Sequence, residues 1–229
     1  MTGFPSPNCN DRRGGARPDL IVLHYTAMAS AAEARARLCD PAAEVSAHWL
    51  IHEDGQAEAL VDERLRAWHA GAGRWGAVVD VNSRSIGIEL QNDGRQPFAA
   101  PQMAALERLL VQIMARWAIP PGRVIGHSDM APARKGDPGA RFDWRRLALA
   151  GLSVWPGVGG PKPGQAPLAG LWDDLAAFGY PLEAGQAAVL QAFRLRFRPW
   201  ARGAADGTDA GLARWLAERF PAERFPVDA

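Results

Sequence analysis

The sequence predicts an α/β fold with a mixed central β-sheet flanked by helices, followed by a small C-terminal three-helix bundle. Strand-like and helix-like patterns alternate over the first part of the chain, as is typical of an α/β domain. A stretch rich in proline and glycine, from Trp155 to Gly164, interrupts this alternation, and only helical periodicity follows it. We therefore predict two units, a larger domain at residues 1–160 and a helical module at residues 161–229.

The predicted strands of the larger domain are short apolar runs. Leu20 to Leu23 is apolar throughout, which is typical of a strand buried on both faces. Ser46 to Ile51 forms a second strand and turns back into Glu58 to Val61 as a hairpin. Ser85 to Leu90 and Val124 to Gly126 follow as the last two strands. Together these runs predict the central sheet.

Two helices are predicted to pack on this sheet. Ser30 and Glu33 have the spacing of a capping box and open an alanine-rich helix that ends near Asp40. Pro101 begins the clearest helix of the chain, since the residues after it repeat apolar side chains at helical spacing. The proline pair at 120 and 121 ends this helix.

The C-terminal module shows only helical patterns. Leu168 to Phe178 is closed by Gly179, which suits a left-handed C-cap. Gly185 to Phe197 carries one apolar stripe, and Thr208 is predicted to cap a third helix. Three short helices with few large apolar residues predict a small bundle.

Composition and charge exclude several classes of partner. The 229 residues include 26 Lys+Arg and 25 Asp+Glu, for a formal charge of +1. We expect neither nucleic acid nor an anionic membrane as the main partner, because both favour a basic excess. No apolar run approaches the ~18 residues that span a bilayer. The two cysteines, Cys9 and Cys39, are expected to be reduced thiols, with a single disulfide as the alternative.

The first ten residues lack the basic start and apolar run of a signal peptide. We therefore expect a cytoplasmic location. We also expect a monomer without a transmembrane segment. A longer true N-terminus would instead favour the periplasm or the outer membrane.

Three side chains form a candidate metal site. His24 and His127 follow apolar strands, and Asp137 lies ten residues after His127. The carboxyl ends of strands in α/β sheets present side chains to a crevice. Two imidazoles and a carboxylate suit a catalytic zinc ion, which keeps its fourth position for water. The alternative, from spacing alone, is that these are ordinary buried or surface side chains.

Glu89 is a candidate general base. In the strand Ser85 to Leu90, the period of two places Gly87 and Glu89 on the face opposite three apolar residues. A carboxylate within an apolar strand is costly to bury without a partner. Glu89 therefore either pairs with an arginine or solvent, or lies beside a metal ion, where Gly87 would leave open space for a substrate.

Three further segments contain candidates for the same site. Lys135 lies two residues before Asp137 and is either an exposed lysine or a cation that stabilises an oxyanion. Residues His69, Ala70 and Asn82 either line the cleft or have structural roles.

Five segments together resemble a known family. They are Leu20-Ile-Val-Leu-His24-Tyr-Thr-Ala, Ser46-Ala-His-Trp-Leu-Ile, Trp68-His-Ala-Gly, Asn82-Ser-Arg-Ser-Ile-Gly-Ile-Glu89-Leu and Gly126-His127-Ser-Asp-Met-Ala-Pro-Ala-Arg-Lys135-Gly-Asp137-Pro-Gly. In this order they are similar to the zinc-dependent N-acetylmuramoyl-L-alanine amidases of the type-2 amidase family, which share a fold with peptidoglycan-recognition proteins. The resemblance spans roughly residues 5 to 155.

This resemblance implies a role for each candidate. It implies that Zn²⁺ is bound by three ligands, that two residues are catalytic and that three positions contact substrate. The ligands are His24, His127 and Asp137; the catalytic residues are Glu89 and Lys135; the substrate contacts are His69, Ala70 and Asn82. Some relatives have a tyrosine where this chain has Ala47, so Glu89 is left as the acid and base.

The implied activity is hydrolysis of the amide between the lactyl group of N-acetylmuramic acid, or its 1,6-anhydro form, and L-alanine of the stem peptide. The implied partners are peptidoglycan fragments or muropeptides. The C-terminal module resembles peptidoglycan-binding-like modules, with a purely buttressing role as the alternative. The competing interpretations are a non-catalytic muropeptide sensor, which would have lost a metal ligand, and a zinc hydrolase of another amide.

Overall fold

The computed structural model describes residues 5–224 and contains, within that range, seven strands and eight α-helices. The strands are β1 (Cys9–Asn10), β2 (Leu20–Tyr25), β3 (Trp49–Ile51), β4 (Ala57–Ala59), β5 (Arg66–Ala67), β6 (Ser85–Leu90) and β7 (Val124–Gly126). The helices are α1 (Ala31–Cys39), α2 (Val81–Arg84), α3 (Ala100–Trp117), α4 (His127–Met130), α5 (Trp144–Leu149), α6 (Leu171–Phe178), α7 (Gln186–Phe197) and α8 (Gly207–Arg219). The predicted fold class is confirmed.

The central sheet has five strands in the order β4-β3-β6-β2-β7. β3, β6, β2 and β7 run parallel, whereas β4 pairs antiparallel with β3 at one edge. The sheet is therefore mixed, as predicted. β1 and β5 form a separate antiparallel pair, in which Cys9 is opposite Ala67 and Asn10 is opposite Arg66.

The two faces of the sheet are covered by different parts of the chain. Side chains alternate along β2, so Ile21 and Leu23 share a core with α3. Leu20 and Val22 lie on the opposite face, where they share a core with α6, α7 and α8. The C-terminal helices therefore pack on the sheet itself. The division into units at residue 160 stays a prediction, although the core is continuous across it.

Several local predictions can be compared with the structure. Ser30 caps α1 by accepting a hydrogen bond from the Glu33 amide, as expected. Gly179 ends α6 with φ 135°, and a Cβ at this position would overlap the Trp75 ring. The predicted cap of α8 is wrong. Asp206, not Thr208, accepts hydrogen bonds from the first amides of the helix, since its carboxylate reaches two of them.

The strand expected at Ser46 begins three residues later, at Trp49. Ser46 makes hydrogen bonds with Asn8 and Trp68 instead of pairing in the sheet. Cys9 and Cys39 are described as free thiols, in agreement with the expectation of reduced cysteines. In residues 5–224, none of the helices combines the length and apolar character that crossing a membrane requires.

Candidate metal centre

The register of the sheet brings the predicted site residues to one edge. His24 on β2 is directly opposite Glu89 on β6, so both side chains point to the same face. β7 lies on the other side of β2 and ends at Gly126, immediately before His127. Because these strands are parallel, their carboxyl ends coincide, and the three side chains meet in one crevice.

The three predicted metal ligands converge on one point. The Nδ1 atoms of His24 and His127 are 3.0 Å apart. Asp137 Oδ2 lies 2.9 Å from His24 Nδ1 and 3.1 Å from His127 Nδ1. All three side chains are buried or nearly so. This arrangement aims two imidazole nitrogens and a carboxylate oxygen at a common position.

A chain of hydrogen bonds fixes the tautomer of His24. The Ser85 hydroxyl donates to the Val81 carbonyl (2.5 Å), so its oxygen accepts from His69 Nε2 (3.1 Å). His69 Nδ1 is then an acceptor and takes the hydrogen bond from His24 Nε2 at 3.0 Å. His24 Nδ1 therefore keeps its lone pair free and directed at the metal position.

The His127 ring is oriented by a backbone carbonyl group. Its Nε2 donates to the Ala70 carbonyl at 2.8 Å, so in the neutral imidazole Nδ1 is the nitrogen with the lone pair. Arg134 also donates to this carbonyl, at 2.7 Å. The Asn82 side-chain oxygen accepts from the amides of His69 and Ala70 and so holds the loop in place. Outer contacts of this kind tune the affinity of a metal site.

These contacts refine the expected substrate positions. His69 lines the cavity, but its ring nitrogens bind His24 and Ser85. Ala70 and Asn82 are buried behind the ligands and are not among the residues that line the cavity. Ala70 and Asn82 therefore hold the metal ligands in position, and their side chains do not line the cavity.

The expectation of open space at Gly87 is wrong. A Cβ placed on Gly87 would overlap the imidazole of His69. The missing side chain is needed so that this ring can approach β6 and reach His24. The space beside Glu89 is thus filled by a protein side chain on the Gly87 side.

The electrostatics of the ligands suit cation binding. Burial would raise the pKa of Asp137, but the neighbouring imidazoles of His127 and His24 hold that pKa well below its usual range. Burial, together with the neighbouring His127, lowers the pKa of His24 to about 4. Near neutral pH the cluster therefore contains a carboxylate and a neutral His24 imidazole, the forms that coordinate metals.

Glu89 and Lys135 lie beside the ligands in a cavity of about 400 Å³. Burial and the negative charge of Asp137 raise the pKa of Glu89 to about 8, while Lys135 opposes the shift. The Oε2 atom of Glu89 is buried and has no hydrogen-bond partner among the described residues. With this pKa the carboxyl group holds its proton near neutral pH, and a divalent cation bound beside it would lower the pKa and favour the carboxylate that accepts a proton.

The donor set fits a zinc ion. Donors about 2.0–2.1 Å from tetrahedral zinc are about 3.3 Å apart, and the three observed separations of 2.9, 3.0 and 3.1 Å are close to this value. Two imidazoles and one carboxylate leave a coordination position free for water. A divalent cation would also relieve the close approach of the two unprotonated Nδ1 atoms.

Sequence reasoning did not identify Ser85 and Arg134. Ser85 is the first residue of β6, and Arg134 is in the loop before Asp137. Their roles depend on hydrogen bonds to side chains and carbonyls distant in the sequence. No residue pattern in either segment indicates such contacts.

Removing the Ser85 hydroxyl tests the proton arrangement around His24. We expect Ser85→Ala to lower zinc affinity about 10-fold, in the range typical of outer-shell substitutions. His69 loses the acceptor that fixes its tautomer, and His24 loses its defined orientation. Chelator competition on the metal-free protein measures this change. Ser30→Ala removes an exposed cap distant from the site and is the matched control, for which no change is expected.

Comparison with known proteins identifies the family to which this chain is related. Residues 14–140 match the family model for N-acetylmuramoyl-L-alanine amidase. The chain is 36% identical over 234 aligned positions to the N-acetylmuramoyl-L-alanine amidase AmiD of Escherichia coli K12, covering 89% of this chain and 84% of that protein. It is 42% identical over 103 positions to the 1,6-anhydro-N-acetylmuramyl-L-alanine amidase AmpD of Haemophilus influenzae, covering 44% of this chain and 56% of AmpD.

Solved structures extend the similarity to nearly the whole chain. A complex of E. coli AmiD with anhydro-N-acetylmuramic acid-L-Ala-D-gamma-Glu-L-Lys superposes with a TM-score of 0.80 at 33% identity, covering 96% of this chain and 94% of AmiD. AmpDh3 from Pseudomonas aeruginosa gives a TM-score of 0.78 at 32% identity, covering 92% of this chain and 95% of AmpDh3. The chain therefore belongs to the N-acetylmuramoyl-L-alanine amidase family.

Proposed function

We propose that this amidase is zinc-dependent and cleaves the bond between the lactyl group of N-acetylmuramic acid and L-alanine of the stem peptide by direct attack of water. The observation that supports the proposal is the convergence of His24 Nδ1, His127 Nδ1 and Asp137 Oδ2 beside Glu89. A hydrolase needs a nucleophile, a base and a stabilised oxyanion, and this cavity contains a group for each.

His24, His127 and Asp137 would hold the zinc ion. Zinc supplies a water of lowered pKa and polarises a carbonyl. The protein orients the ligands through His69 and Ala70, so that both Nδ1 lone pairs face the metal position before it is filled. Such preorganisation lowers the reorganisation needed on metal binding.

Glu89 transfers the proton of the reaction. Its Oε2, buried and without a partner, accepts a proton from the attacking water as the water adds to the lactyl carbonyl. Glu89 then returns this proton to the nitrogen of L-alanine, and the carbon–nitrogen bond breaks. The carboxylate is regenerated at the end of the cycle. One residue therefore serves as base and acid, since no tyrosine stands at Ala47, which is fully buried.

Lys135 contributes positive charge at the mouth of the cavity. Its side chain is exposed, and it is one of the residues that line the cavity next to Asp137. Its charge reaches Glu89, whose pKa it lowers. We propose that the ammonium group stabilises the oxyanion as the carbonyl oxygen gains charge.

The substrate is proposed to be a soluble anhydro-muropeptide. The solved complexes of AmiD and AmpDh3 contain anhydromuramyl peptides, and both proteins align with nearly the full length of this chain. The cytoplasmic location and the monomeric state stay predictions. Cell fractionation and size-exclusion chromatography test them directly.

The proposed function is tested by following product release. We expect the zinc-loaded protein to release the stem peptide with a free L-alanine amine from an anhydro-muropeptide, and a strong chelator to stop the reaction until zinc is restored. Turnover that resists complete zinc removal would contradict the metal mechanism. Binding of the muropeptide without cleavage would instead support the sensor interpretation.

We also propose that the C-terminal module, together with adjacent residues of the larger domain, binds the peptidoglycan glycan. Two adjoining cavities of about 520 and 530 Å³ share Arg145, Trp155 and Trp200; we call this surface the Trp200 groove. Trp200 is 68% exposed, which is unusual for an aromatic ring without a ligand. Arg145 and Lys162 have no acidic partner among the described residues, so the groove offers stacking surface and cations to sugars bearing carboxylates.

Substitution of Trp200 tests this groove. We expect Trp200→Ala to weaken binding to purified sacculi about 10-fold, equivalent to ~1.4 kcal/mol, because it removes the main stacking surface. Hydrolysis of a small soluble muropeptide should be unchanged. Leu168→Ala changes another exposed apolar side chain of the same module, outside the groove, and serves as the control in co-sedimentation. Equal binding by both variants would favour the buttressing role.

A further inference from the structure

A buried carboxylate lies directly behind the metal ligands. Asp129 is completely buried on α4, two residues after His127. Its Oδ2 accepts a hydrogen bond from the Gly126 amide at 2.8 Å, which ties the carboxylate to the turn that leads into α4. Burying a carboxylate is costly unless it is paired and hydrogen-bonded. The residues that compensate Asp129 therefore determine whether this turn keeps its shape.

Those residues come from the C-terminal helices. Arg196 on α7 donates from Nη1 to Asp129 Oδ2 at 2.7 Å, and the Tyr180 hydroxyl donates to Oδ1 at 2.6 Å. Nη2 of Arg196 donates to the Val124 carbonyl on β7 at 3.0 Å and to the Ser153 hydroxyl oxygen at 3.2 Å. Arg196 is 2% exposed, and its guanidinium packs 4.2 Å from the centre of the Trp144 ring.

The same turn positions two of the three ligands. His127 is the first residue of α4, so its side-chain direction follows from the geometry of this turn. The Ser128 amide donates to the Asp137 carbonyl at 2.9 Å, which connects the second ligand to the same helix. A displacement of α4 would therefore move His127 and Asp137 together relative to His24, which is fixed on β2.

We propose that Arg196, assisted by Tyr180, is a positioning residue for the metal centre, so that the C-terminal helices complete the zinc site of the amidase domain. Without Arg196, the buried carboxylate of Asp129 on α4 has no counter-charge, and the helix must shift for this carboxylate to regain one or reach water. The module then has a role in catalysis that is independent of any affinity for the cell wall. This inference rests on the proposed zinc dependence.

A pair of matched substitutions on α7 tests the inference. Arg194 and Arg196 are both buried arginines that pair with a buried aspartate, but Arg194 pairs with Asp209 inside the C-terminal helices. We expect Arg196→Met to lower the zinc affinity of the metal-free protein 10- to 100-fold. Arg194→Met should destabilise the fold in a similar way yet leave zinc affinity within about 2-fold of that of the unchanged protein, because the hydrogen bonds of Arg194 go to Gly203, Ala204 and Asp209 and not to α4. Chelator competition gives the affinities, and thermal unfolding of the metal-free proteins gives the stabilities.

Tyr180→Phe provides a milder variant in case Arg196→Met does not fold. It removes only the hydroxyl that donates to Asp129 and should lower zinc affinity about 3-fold to 10-fold. Unchanged zinc affinity in folded Arg196→Met, or equal losses in Arg194→Met and Arg196→Met, would overturn the inference. If Arg196→Met does not fold, unchanged affinity in Tyr180→Phe overturns it. Absence of zinc binding by the unchanged protein would instead overturn the proposed function, so the two failures are distinguishable.

Discussion

Replacing Asp137 with alanine is expected to lower zinc affinity more than 100-fold and to abolish hydrolysis. Substitutions in the outer shell of metal sites typically cost 10- to 100-fold in affinity, and a ligand should cost more. Asp137 supplies the only negative charge of the three converging groups, and its Oδ2 lies within 3.1 Å of both imidazole nitrogens. Its loss leaves two imidazoles, which hold a divalent cation weakly.

The measurement combines metal analysis of the purified protein with an assay of muropeptide cleavage. Asp93→Ala, which changes an exposed aspartate in the loop after β6, is the control and should keep both zinc and activity. Excess zinc should restore only part of the activity of Asp137→Ala, since the geometry of the remaining ligands is retained. Full activity at stoichiometric zinc would remove Asp137 from the ligand set and with it the proposed mechanism.

The strands and the meeting of the site residues could be predicted because both follow from local patterns. Apolar runs define β2, β6 and β7, and parallel strands end at a common edge, which brings His24, Glu89 and His127 together. From the residues alone Asp137 is only one candidate, because its loop has no period from which a position follows, and the resemblance to a family implies its role as a ligand.

The supporting contacts could not be predicted, since they depend on packing between distant segments. The glycine at position 87 indicates that a side chain is absent there, but the sequence does not say which group occupies the space. The structure shows that the imidazole of His69, from a separate loop, occupies it. The apolar stripe of α7 predicts a buried face but does not indicate which element that face packs against. That partner is the sheet, and it places Arg196 against Asp129, 67 positions earlier in the sequence.

Replacing Glu89 with glutamine is expected to lower the rate of hydrolysis on the order of 10²- to 10⁴-fold, which is the usual contribution of a general acid–base residue. Glutamine keeps the shape of the side chain and can still accept a hydrogen bond, but it cannot take up and return a proton. The loss should appear in kcat, while KM and zinc affinity change by less than about 3-fold. This split separates a defect in proton transfer from a defect in metal binding, which Asp137→Ala shows.

The position of Glu89 supports a role in proton transfer. The residue is half-buried opposite His24, its Oε2 has no partner among the described residues, and burial with the charge of Asp137 raises its pKa to about 8. A buried carboxylate with a purely structural role is paired, as is Glu63, in the turn before β5, which accepts hydrogen bonds from Arg116 and Trp117. Glu53→Gln, at an exposed turn, is the control for the loss of one negative charge. If Glu89→Gln kept the full rate with zinc bound, another group would have to carry the proton. Among the charged residues that line the cavity, Arg37 and Arg134 hold their protons, and His24, His127 and Asp137 are the proposed ligands. Lys135 would then be the remaining candidate.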